Sequence, residues 1–65
     1  MKAKVRAVIR NSPIFPVTKV TAEKEFEFDE DDNVFSRLVK VRQYFYKTYR
    51  VSRFMDVEIV EVTWL

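Results

Sequence analysis

The segment KAKVRAVIR, Lys2–Arg10, alternates with period two. Ala3, Val5, Ala7 and Ile9 fall on one face and Lys2, Lys4, Arg6 and Arg10 on the other, with Val8 out of pattern. That is a strand with one buried face and one wet, basic face. A second segment, VTKVTAEKEFEF (17–28), alternates with the opposite charge: Val20, Ala22, Phe26 and Phe28 share a face, with Glu23, Glu25 and Glu27 opposite. A third, FMDVEIVEVTWL (54–65), sets Met55, Val57 and Ile59 against Asp56 and Glu58; then the phase slips, and Val60, Val62 and Trp64 alternate with Glu61 and Thr63. The slip predicts either a bulge near Ile59–Val60 or a strand end that is apolar on both faces. One wet face is basic and two are acidic. Opposite charges across neighbouring strands stabilise by about 0.2–1 kcal/mol per pair, and like charges destabilise. The basic strand therefore belongs in the centre, in order 2-1-3. Lys4 and Arg6 then lie between Glu23, Glu25 or Glu27 on one side and Asp56 or Glu58 on the other.

The connections complete the fold class. NSPIFP (11–16) is a loop by its two prolines and Asn-Ser pair. Ile14 and Phe15 are too apolar for a free loop, so they either fold over the end of the core or are exposed for binding. Pro16 stands at the start of the second strand, where proline is tolerated on an edge. Lys24 puts a charge on that strand's apolar face, which predicts a bulge there. Between the second and third strands, Asp31, Asp32 or Asn33 can cap a helix running to about Arg50. Val34, Leu38, Val41 and Phe45 recur at helical spacing and form its core stripe. The expected architecture is one small α+β domain over residues 1–65, with β-β-α-β order. It is a two-layer sandwich: a three-stranded antiparallel sheet with one helix on one face.

Composition excludes several chemistries. The chain has 65 residues with no Cys, His or Gly. A chain of this length buries only about 60% of its unfolded surface, so a partner or a dimer would add stability. Without Cys or His, disulfides, most transition-metal sites, a nucleophilic thiol and an imidazole base are missing, and Ser12, Ser36 and Ser52 have nothing to activate them. No enzyme, cofactor or metal centre is expected. Asp29, Asp31 and Asn33 open like a calcium loop, but Val34 stands where that loop needs Gly and Lys40 where it needs Glu. The acidic run from Glu25 to Asp32 reads as a cap and a solvated turn, or as a surface that mimics phosphates. No segment is long and apolar enough to be a secretory signal or to span a membrane. The expectation is a cytoplasmic protein.

Charge runs in blocks: basic through Arg10, acidic from Glu23 to Asp32, basic from Arg37 to Arg53, and acidic from Asp56 to Glu61. The net charge is only +2. Helical phase at about 100° per residue divides the basic-aromatic helix further. Lys40, Lys47 and Arg50 fall on the back. Phe35, Val39 and Tyr46 fall on one shoulder, and Arg37 and Tyr44 on the other. Aromatic and Arg side chains favour interface hot spots, and Trp64 ends the last strand on an apolar edge. The candidate partner-binding set is Phe35, Val39, Lys40, Tyr46, Lys47, Arg50 and Trp64. A nucleic-acid interface would instead use Arg37, Lys40, Tyr44, Lys47 and Arg50, with basic groups on phosphates and Tyr44 or Tyr46 stacking. The small net charge argues against it.

In size, in its mixture of acids and bases and in its strand-strand-helix-strand order, the chain resembles the small phage-encoded proteins that disable host machinery. These include anti-CRISPR proteins, RNA polymerase inhibitors and antitoxins. The resemblance implies a non-catalytic module from a phage or mobile element that occludes a host or defence protein, within the host cytoplasm. The alternatives are a small nucleic-acid binder using the helix back, and a homodimeric structural or virion component joined through the last strand.

Overall fold

The computed structural model describes residues 1–15 and 19–65. The chain runs β1 (Lys2–Arg10), β2 (Lys19–Glu27), α1 (Val34–Thr48), a short 3-10 turn (Phe54–Asp56) and β3 (Val57–Trp64). The strands form one antiparallel sheet in the order β2-β1-β3, with the helix on one face. This is the β-β-α-β sandwich expected from the alternation. Pro16 and Val17, expected at the start of the second strand, lie outside the described residues. β2 ends one residue before Phe28, whose N–H donates to the Met1 carbonyl at 2.7 Å.

Cross-strand charge pairing holds β1 in the centre. Arg6 stands opposite Glu23 in the register and donates to its carboxylate through Nε at 2.9 Å. Lys4 reaches the other carboxylate oxygen of Glu23 at 3.4 Å. These contacts, Arg6 first, hold the Glu23 carboxyl below its ordinary range, and the same pair raises the Arg6 guanidinium. On the other flank the partners differ from expectation. Arg6 meets Glu61 at 3.6 Å, and Glu58 pairs with Arg10 at 2.9 Å rather than with Lys4 or Arg6. Asp56 does not face β1's basic row. The 3-10 turn delays the start of β3, and Asp56 is buried with its carboxylate 3.7 Å from Arg53. Met55 is likewise exposed in that turn.

The phase slip in β3 is a bulge. Arg6 faces Glu61 while Ala7 faces Ile59, so Val60 is the extra residue. The bulge returns Val62 and Trp64 to the face of Val57 and Ile59, opposite β1's Val5 and Ala3. β2 carries no bulge: its register with β1 is unbroken from Lys19 to Glu27. Lys24 stays on the helix-facing side because aromatic rings receive its charge. Its Nζ lies 4.9 Å from the Tyr44 ring centroid and 5.9 Å from that of Phe26.

The core lies between β1 and the middle of the helix. Ala3, Val5, Ala7 and Ile9 are sealed beneath Val41 and Phe45, with Phe26, Phe28, Val51 and Val57 around them. Phe45 meets the Phe26 ring edge-on at 5.8 Å and lies 6.1 Å from Tyr49. Asn33 caps the helix: its Oδ1 accepts from the Ser36 N–H at 2.7 Å. The other end stops short of Arg50, because Arg50 itself adopts a left-handed conformation with φ 53°. Asn11 does the same with φ 58°, and in this glycine-free chain both pay the steric cost that Gly avoids. The Asn11–Phe15 loop docks on that helix end. The buried Ser12 hydroxyl donates to the Tyr49 carbonyl at 2.5 Å, and Phe15 stacks on the Tyr49 ring at 5.3 Å, while Ile14 stays exposed.

Only half of the expected helical stripe is core. Val34 is 69% exposed and Leu38 41%. Both are in phase with Val41 and Phe45, but an open groove separates the first turns of the helix from β3.

Candidate functional site: an apolar groove at the β3 edge

That groove has a volume of about 320 Å³. Its floor is Val5 and Ile59, and Val34, Leu38 and Val41 form the helix wall. Val62 and Trp64 line the β3 side, beside an edge that pairs with no further strand among the described residues. Local sequence explains each placement. The bulge at Val60 turns Val62 and Trp64 inward, and helical phase turns Val34 and Leu38 down toward them. Phe28 closes one end, its ring 6.1 Å from Trp64 and tilted against it. The Arg37 guanidinium covers Trp64 from above at 5.5 Å. Its Nε is buried with no hydrogen-bond partner among the described residues. Trp64 thus does two things at once: it packs on Phe28 at the rim of the core and presents half of its surface to solvent.

The two sheet edges differ chemically. β2 carries Lys24 on its helix-facing side, and an inward charge is a standard guard against strand addition. The corresponding positions of β3 are Val57, Ile59, Val62 and Trp64, without a charge. An edge without an inward charge, beside exposed apolar surface, marks a contact site.

The structure divides the candidate residues. Phe35 is 76% exposed, and with Val39 and Lys40 it lines a shallow depression on the outer face of the helix. Tyr46 is half-buried and packs against Phe54 at 5.8 Å, beside Arg42. Phe54 leads into β3, so Tyr46 stands on the β3 side of the helix, while Phe35 and Val39 do not line the groove. Lys40 turns the other way: its Nζ lies 3.4 Å from the Glu27 carbonyl and 5.7 Å from the Phe28 ring. Lys47 and Arg50 are exposed toward the end of the helix. Of the alternative set, Arg37 is engaged on Trp64. The Tyr44 ring is steeply inclined to Phe26 and Phe45 and carries Lys24 over one face, so stacking of a base on that face would displace the lysine. The acidic turn closes on itself, with the Asp29 N–H 3.3 Å from Asp32 Oδ2.

Val34, Leu38 and Val62 line the groove but are not among the residues expected at a contact site. Their signal was present as a helical stripe longer than a small sheet can cover and as a phase slip that turns Val62 inward. No helix among the described residues is long and apolar enough to cross a membrane. Comparison with protein-family models, with curated proteins and with solved structures returned no match, so a functional reading rests on the groove and its edge.

Proposed function

We propose that the protein is a non-catalytic module that binds a protein partner on its β3 side. The supporting observation is the apolar groove beneath Val34 and Leu38, open at an edge whose inward positions carry no charge. Trp64 and Arg37 at its mouth are residue types that anchor interfaces. Occlusion of the partner's own binding surface is the mode of action. In a phage or mobile-element setting, which the class resemblance supports, that partner is a host or defence protein. Nucleic-acid binding through Lys40, Lys47 and Arg50 is the weaker reading, because Lys40 leans on Glu27 and the Tyr44 ring is already packed.

Affinity capture from an extract of the source cells tests the reading. The parent chain and Lys47→Glu should retain one stoichiometric partner, and Val62→Thr with Leu38→Gln should lose it while still melting cooperatively. Loss in Lys47→Glu with retention in the groove variant would move the site to the helix back.

A further inference from the structure

We infer that the β3 edge takes an extended segment of its partner as a fourth strand, and that this segment alternates basic with apolar side chains. The inference rests on the reading of the β3 side as the docking face. Three observations carry it.

The first is the incomplete layer. A strand added at about 4.8 Å beyond β3 would set every second side chain facing the groove, against Val34 and Leu38. These belong to the core stripe in phase but stand off from β3 across the groove and remain exposed. The second is the asymmetry of the edges. Lys24 guards β2, whereas β3 offers its free backbone edge beside uncharged inward positions. The third is charge. On the outer face the rows run acidic, basic, acidic across β2, β1 and β3. Glu58 and Glu61 each meet an arginine on the β1 side, at 2.9 and 3.6 Å, and remain half-exposed. The central basic row has acid on both flanks. The acidic row of β3 has base on one, and a basic row beyond it completes the alternation.

The same charges disfavour a second copy, because β3 paired with β3 brings Glu58 and Glu61 of one chain against those of another. A helical ligand would fill the groove but leave the β3 backbone edge unpaired.

A titration followed by amide and methyl NMR of the full chain tests the inference. The probe is a synthetic KAKVRAVIR peptide, the sequence of Lys2–Arg10, which has the required alternation and already pairs antiparallel with β3 from its other side. It should shift the amides of Val60–Trp64 and the methyls of Val34 and Leu38, and added salt should weaken it. Replacing each of its bases by Glu should weaken binding by roughly tenfold or more, as attractive cross-strand pairs become repulsive. Val62→Lys in the protein should abolish the shifts. Equal binding of the acidic peptide, or shifts confined to β2, would overturn the inference. So would self-association mapped to β3, which makes a second copy the occupant. Occupation of the groove by an amphipathic helical peptide alone would overturn the strand but keep the docking face. Silence of every probe would also overturn it, and partner capture with the groove variants then judges the docking face separately.

Discussion

Val62 stands directly across from Val5 in the β1–β3 pair, on the same face of the sheet, yet Val5 is 1% exposed and Val62 40%. The helix therefore seals the central strand and leaves the edge strand open beside it. An ordinary two-layer sandwich would bring the helix down over both. Here Val34 and Leu38 overhang a groove: the core takes in Val57 at the start of β3 but leaves Val62 and Trp64 open. That contrast between neighbours is the basis of the functional reading.

The contrast has an energetic counterpart within the helix. Phe45 is sealed against Phe26 and Tyr49, so Phe45→Ala should cost about 3–5 kcal/mol. In a chain this small that removes most or all of the stability, and urea denaturation should show no cooperative transition at room temperature. Leu38→Ala should cost about 1 kcal/mol, because much of that side chain is already wet. Equal losses at both positions would mean that the groove is closed in solution.

Arg50 holds a left-handed backbone conformation immediately after the helix, at φ 53°. Glycine enters that region without the Cβ clash, so Arg50→Gly should stabilise by about 1 kcal/mol. For a domain of this size that is roughly 4–8 °C in Tm, read by thermal melting. Arg50→Ala keeps the Cβ and should bring no such gain.

Stability should fall at acid pH in part through Glu23. Its folded carboxyl lies below the ordinary value, first through the hydrogen bond from Arg6 and then through Lys4. The unfolded chain therefore takes up this proton at higher pH than the folded one. The contribution is fully present above the unfolded value and is lost as pH falls through the lowered folded value. Because the pair is exposed, the effect is small and screened by salt. Tm against pH at low salt should show a shallower acid limb for Glu23→Gln than for the parent. High salt should bring the two together.

Strand order was legible because charge and alternation coincide: a basic row between two acidic rows admits one favourable arrangement, and Arg6 with Glu23 and Glu61 realises it. The slip at Ile59–Val60 was legible as a break in alternation that left a bulge and a doubly apolar strand end open; the structure has the bulge, which keeps Val57 and Trp64 on one face. Three features depended on tertiary neighbours that no local pattern encodes. Lys24 needs no bulge because Tyr44, from the helix, receives its charge. Asp56 is buried because a 3-10 turn replaces the expected first residues of β3. Helical phase places Val34 and Leu38 on the stripe, but it does not say how far the sheet extends beneath them. Of the candidate site, Trp64 lines the groove and Tyr46 packs on Phe54 ahead of β3, whereas Phe35, Val39 and Lys40 line a separate depression on the outer face of the helix.

Photocrosslinking tests the docking face most directly. A p-benzoylphenylalanine placed at position 62, in the groove, and separately at position 47, on the helix back, is irradiated in an extract of the source cells. The account predicts one discrete crosslinked partner from position 62 and none from position 47. A partner captured from position 47 and not from position 62 would contradict it.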